Sequence, residues 1–149
     1  MIGDVELEDR GCRVIAAQSD VSILSVEYRL APEAKFPIPV EDCVRAAHWA
    51  YDNAKALGFN RERIGLSGSS AGANLALAAA LALRDEGETP AFLLLRYGVF
   101  AMRTDTESYR LYGGGAYGLG TAALDFFMAQ YLRTREDRDD PRASPLDAD

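Results

Sequence analysis

The chain has 149 residues, 48% of them hydrophobic, which is one domain's worth of material with a substantial core. Its 23 acidic against 16 basic residues leave a formal net charge of −7, which argues against nucleic acid or an anionic membrane surface as partner, since either calls for a basic patch. Cys12 and Cys43 are too few for a disulfide framework and lack metal-ligand spacing, so each is expected as a small apolar residue in a helix.

In chain order, the acidic start Met1-Ile2-Gly3-Asp4-Val5-Glu6 lacks a signal-peptide pattern. Glu8 to Gln18 reads as a helix with Cys12, Val14, Ile15 and Ala16 as an apolar stripe. Ser22 to Tyr28 is β-branched and mostly apolar, and predicts a buried strand. Three prolines between Ala31 and Pro39 demand an extended loop. Val40, Val44, Ala47, Tyr51, Ala54 and Leu57 recur at helical spacing, and Gly58 closes that helix. Ile64 to Ser67 is a short strand, Ser70 to about Asp85 a helix, and Ala91 to Tyr97 another strand. Arg103 to Leu119 is turn-rich. A last amphipathic helix begins at Thr121, its expected cap, and turns Leu124, Phe127 and Leu132 inward. The tail from Arg133 is charged and reads as irregular. The longest apolar run, about eleven residues from Ala73, falls short of the ~20 that span a bilayer. A soluble cytoplasmic protein is expected.

Strands alternating with helices predict an α/β fold: a parallel sheet flanked by helices, with ligands at the carboxyl ends of the strands. At one such end stands Gly68-Ser69-Ser70-Ala71-Gly72, a Gly-x-Ser-x-Gly between strand and helix, the pattern of a nucleophile elbow. A serine at the tip of so sharp a turn takes a strained backbone conformation, and side chains at the two flanking glycines are expected to collide with neighbouring strand and helix. The helix that follows aims free N–H groups at negative charge developing beside the Ser70 hydroxyl.

Around the elbow stand Val26-Glu27-Tyr28-Arg29-Leu30-Ala31-Pro32-Glu33, Phe36-Pro37, Val40-Glu41-Asp42 and Asp140-Pro141-Arg142-Ala143-Ser144-Pro145. Together these blocks resemble the hormone-sensitive-lipase-like branch of the α/β-hydrolases, bacterial carboxylesterases among them, from about Gly3 to the end. The resemblance implies that residues 1–149 are a single, incomplete α/β-hydrolase catalytic domain. It implies a carboxylic-ester hydrolase in which Ser70 is the nucleophile and passes through an acyl-enzyme. Ala71 N–H would be one oxyanion donor, with Gly68, Ser69 and Gly72 shaping the elbow. No metal or organic cofactor is implied. The expected partner is a small-molecule ester, with a homo-oligomer or a complementing chain left open.

The family's other groups have no match here. Its His-Gly-Gly-Gly oxyanion segment would precede Gly3, and its triad aspartate and histidine would follow Asp149. The chain therefore reads as a piece of a protein about twice as long, with Met1 an internal methionine, and is expected to be poorly active alone. The strand leading into His-Gly-Gly-Gly would lie between those at 22–28 and 64–67; without it, either those two strands close up directly, or another polypeptide fills the gap, or the chain is a fragment of a longer protein. The only histidine, His48, precedes Ser70 in a helix and is expected to be an ordinary helix residue. Ser69 and Ala73 depart from the family's Gly-Asp-Ser-Ala-Gly-Gly, Ala73 adding a methyl at the helix–sheet contact. Tyr28, Arg29 and Glu33 are expected to brace their loop, Gly113-Gly114-Gly115 to be a flexible loop, and Phe92, Tyr97 and Phe100 to pack in the core. The carboxylates Asp105 and Glu107 and the acidic tail are expected to be solvated. A second reading is a non-catalytic fragment or binding remnant that keeps the elbow as a fold element. A phosphate site at Gly65, Gly68 and the helix N-terminus is disfavoured, because no phosphate-loop signature accompanies it.

Overall fold

A computed structural model describes residues 2–148. Two strands, β1 (Leu66–Ser69) and β2 (Leu93–Arg96), pair in parallel, with Leu66 opposite Leu93 and Ser69 opposite Arg96. They are joined through helix α3 (Ala71–Asp85), the crossover that parallel pairing requires. Helices α1 (Val5–Ser19), α2 (Ile38–Leu57), α4 (Glu107–Tyr112) and α5 (Thr121–Tyr131) complete the regular structure with three short 3₁₀ turns.

Helix α3 organises the packing. Ala73, Ala76, Ala78, Ala79 and Ala80 are all buried. Their small side chains let the helix lie close to the sheet on one side and to α2 on the other. Phe36, Val40, Leu75, Ala78, Met102, Met128, Leu132 and Ala143 form the larger core cluster. Ala47, Tyr51 and Leu83 form a second, flanked by Ile64 and Leu66. Gly58 ends α2 at φ 74° and donates its N–H to Ala54 and Lys55 carbonyls, as the sequence predicts.

The strand predicted at 22–28 does not form. Residues 21–30 pair with no other strand, and Val21, Ile23, Leu24 and Val26 are exposed. The physical reason is the gap. Leu66 N–H donates to Phe92 O and Ser70 N–H to Arg96 O, so even-numbered β1 positions face β2. The main-chain groups of Ser67 and Ser69 therefore face the opposite, open edge, where no third strand lies among the described residues.

Other expectations need adjustment. Helix α1 starts three residues early, because Asp4 Oδ1 accepts the Leu7 N–H at 2.8 Å, and none of its residues is buried. Its stripe borders an open groove of about 280 Å³ against Ile23 and Ser25 instead of a core, and Val14 is exposed. The region 103–119 contains α4, a helix of six residues. Thr121 is not a cap. Gly120 occupies that position, and the Thr121 N–H is drawn into a bond with Gly113 O at 2.9 Å. Met128 and Leu132 are the buried side chains of that region, while Leu124 and Phe127 are half-buried. The tail is more than solvated charge. Ala143, Ser144 and Pro145 are buried, and Ser144 Oγ accepts the Met102 N–H at 2.9 Å and donates to Arg138 O at 2.6 Å.

Arg29 braces the chain as expected: Nε and Nη2 grip the Asp42 carboxylate at 2.8 and 2.7 Å, and Arg45 joins from the next turn. Tyr28 packs on the larger core cluster. The Arg29 hydrogen bonds, with the help of Arg45, pull Asp42 down to about 2. An unfolded aspartate titrates at about 3.9, so the unfolded chain binds more protons between those values. The clamp's stabilisation is complete above about pH 5 and is lost as pH falls towards 2. Asp42→Asn is therefore expected to flatten the acid limb: urea midpoints at pH 7 and pH 3 should differ less in the variant than in the parent. Equal differences in both would remove the clamp from the account.

Candidate active site

The segment 66–85 runs strand, tight bend, helix. Ser70 sits at the bend with φ 53° and ψ −119°, a conformation that side chains rarely adopt, and it is half-buried rather than sealed in the core. Its N–H donates to Arg96 O at 2.9 Å, and its carbonyl accepts from Ala73 and Asn74 N–H at 3.1 and 3.3 Å. The main chain is thus pinned on both sides while the side chain caps nothing. Ala71, the first residue of α3, has an N–H that helix geometry leaves without an intrahelical acceptor. With Ser70 beside it at the positive end of a 15-residue helix, the arrangement suits an oxygen that gains negative charge.

The flanking glycines differ, against expectation. A Cβ on Gly68 would lie 2.1 Å from Gly72 O and 2.6 Å from Ala73 N, so only glycine lets the helix start so close to the strand. A Cβ on Gly72 would meet nothing within 4 Å. The collision expected at both positions holds at one. Ser69 ends β1, half-buried, opposite Arg96. Ala73 is fully buried, and Gly98 makes room for its methyl: a Cβ on Gly98 would come within 2.9 Å of the Ala73 Cβ.

Neither His48 nor the glycine run joins this site. His48 Nε2 pairs with Glu86 at 2.8 Å, beyond the far end of α3. Sixteen residues separate Glu86 from Ser70, ~24 Å at the helical rise. Gly113 to Gly115 follow α4, with Gly115 at φ 88°. Among the described residues no group of three His, Cys, Asp or Glu is placed to hold a metal ion. Cys43 packs against the larger core cluster, and burial pushes its thiol up to about 12, far from a reactive thiolate.

Two features were missed in the sequence. Asn74, buried one turn into α3, donates Nδ2 to Val99 O at 2.7 Å and to Ala143 O at 2.9 Å. It ties the start of the helix to the loop after β2 and to the tail. A lone amide at an inward position of an Ala/Leu helix was its signal. Tyr97, expected in the core, is 78% exposed at φ 40°, one residue past β2 and level with Ser70 in the register. Phe92 is likewise exposed, its ring lying over Gly65.

Asn74→Ala is expected to cost about 2 kcal/mol or more, since it leaves two carbonyls without their donor. Asn74→Asp keeps the shape yet turns a carboxylate on those carbonyls, so it should be worse at pH 7. Urea unfolding of the three proteins reads the order, and an Asn74→Asp as stable as the parent would contradict it.

The geometry has counterparts. A family model described as alpha/beta hydrolase fold matches residues 1–149. An acetyl esterase of Salmonella paratyphi A is 37% identical over 145 residues, 95% of this chain and 44% of its own length. The hyperthermophilic esterase of the archaeon Pyrobaculum calidifontis superposes with a TM-score of 0.94 at 39% identity, over 99% of this chain and 48% of that one. A thermostable carboxylesterase cloned from a metagenomic library does so with a TM-score of 0.95 at 39% identity, over 99% and 51%. The chain thus spans about half the length of the relatives it matches. With strand, bend and helix in the family's arrangement, it belongs to the alpha/beta hydrolase fold family.

Proposed function

We propose that the chain is the nucleophile-bearing core of a carboxylic-ester hydrolase, in which Ser70 Oγ attacks the ester carbonyl and forms an acyl-serine while the alcohol leaves. The observation that carries this reading is the backbone of Ser70, held at φ 53° between β1 and α3 with its side chain free of any capping duty. Strain of this kind persists only where the surroundings over-determine it. The developing oxyanion would be met by the Ala71 N–H. The esterases named above support an ester substrate by likeness, and no helix among the described residues is long and apolar enough to cross a membrane.

A base near Ser70 has to come from elsewhere, because the one histidine is engaged with Glu86 at the opposite end of α3. We assign that base, its orienting carboxylate and further oxyanion donors to a complementing polypeptide segment that also fills the open edge of β1. The alternative, a remnant that keeps the elbow only as a fold element, is favoured by the same open edge. The test is hydrolysis of a short-chain aryl ester by this chain with and without a polypeptide spanning the family's remaining segments. Turnover that needs both partners and disappears in Ser70→Ala is expected. A reconstituted complex that binds but turns over equally well as Ser70→Ala would leave only the remnant.

A further inference from the structure

We propose that Tyr97 is a specificity-determining residue beside Ser70, its ring forming a wall against which the apolar part of an ester packs. Tyr97 takes this role only if Ser70 attacks an ester, the reading proposed above. Among the described residues, three that carry a side chain stand at positive φ: Asp20, Ser70 and Tyr97. Asp20 ends α1 in the left-handed conformation common at helix termini. The other two lie together. Each is one residue beyond its strand, and the register that sets Ser69 opposite Arg96 brings Ser70 level with Tyr97. Ser70 N–H donates to Arg96 O at 2.9 Å, so the peptide joining Arg96 to Tyr97 lies against the serine's main chain.

A bulky side chain at positive φ is costly, and Tyr97 gains no contact that offsets it. It is 78% exposed, and neither its ring nor its hydroxyl has a hydrogen bond or ring contact among the described residues. The elbow fixes its backbone from both sides. Ser70 holds the Arg96 carbonyl, and Asn74 in the first turn of α3 holds Val99 O at 2.7 Å. Between them, a Cβ on Gly98 would come within 2.9 Å of the Ala73 Cβ, so the chain passes close against α3. Glycine would serve this backbone without strain, so the fold alone does not account for a tyrosine here. An aromatic face beside the nucleophile, at the carboxyl ends of paired parallel strands, is placed to cover a ligand's apolar surface. Each methylene that reaches the ring should raise kcat/KM about fourfold.

The experiment takes the chain with its complementing polypeptide and measures kcat/KM on two ester series: aryl esters from acetate to hexanoate, and alkyl acetates from methyl to hexyl. The parent should favour longer chains in one series, which tells whether the acyl or the alcohol side meets the ring. Tyr97→Ala should cut that preference about tenfold, and Tyr97→Phe should keep it. Tyr97→Gly should lose the preference as Tyr97→Ala does yet melt at a higher temperature, which separates contact with substrate from folding. Turnover that needs Ser70 but has the same chain-length profile in parent and Tyr97→Ala, in both series, would overturn the wall and leave the hydrolase reading standing. Turnover equal in Ser70→Ala would overturn both.

Discussion

Assayed by itself, the 149-residue chain should hydrolyse an activated aryl acetate about 10⁶-fold more slowly than a serine hydrolase with its triad assembled. The magnitude follows from what faces Ser70. A serine hydroxyl is a weak nucleophile until a base takes its proton, and the chain's one imidazole is bound to Glu86 at the distal end of α3. Under the proposed reading the Ala71 N–H is one oxyanion donor, and each further donor that is missing costs ~2.7–4 kcal/mol of transition-state stabilisation. Triad groups act as a unit, so removing the hydroxyl after the base is gone should change little. Initial rates for the parent and Ser70→Ala should accordingly coincide. An aryl phosphonate should give no stoichiometric adduct in the intact mass. A fast parent rate that Ser70→Ala abolishes would mean that a base reaches Ser70 from within these residues, and His48 would then have to leave Glu86.

The second large effect is steric. Gly68→Ala should destabilise the chain by about 3 kcal/mol or more, or prevent folding, whereas Gly72→Ala should be neutral or stabilising by up to ~1 kcal/mol. At Gly68 the new methyl would sit 2.1 Å from Gly72 O and 2.2 Å from Gly72 C, and both obstacles are backbone in the first turn of α3. Relief requires moving the helix away from β1, which would also loosen the Ser70 to Arg96 hydrogen bond that fixes the bend. At Gly72 the methyl meets open space, and alanine is the better helix former. Thermal melts of the two variants should therefore move in opposite directions or by very different amounts. Equal loss at both would show that the bend, rather than close approach, demands glycine.

Some elements were legible because their signal is local. Helix α2 was marked by apolar residues at helical spacing and a terminal glycine. The elbow was marked by two glycines around a serine between a short apolar run and an alanine-rich helix. Asp42 was quoted as part of a family block, yet only the fold makes it the acceptor for two arginines, one of them thirteen residues away. At 22–28 and at Thr121 the missing information was a partner. Ser22 to Tyr28 has the composition of a buried strand, but a strand exists only with something to pair against. Thr121 has the chemistry of a cap, and Gly113 O claimed its N–H first.

By itself, then, the order of residues determined the bend: a serine flanked by glycines, a strand before it and a helix after it, because φ/ψ preference and hydrophobic spacing act over a few neighbours. Tertiary structure alone decided which of those glycines is irreplaceable and that His48 pairs with Glu86, at the opposite end of α3 from Ser70. It alone decided that Asn74 ties helix, loop and tail together. The Asn74 and His48 contacts join residues remote in the chain, and such distances are set by how α3 packs between α2 and the two strands.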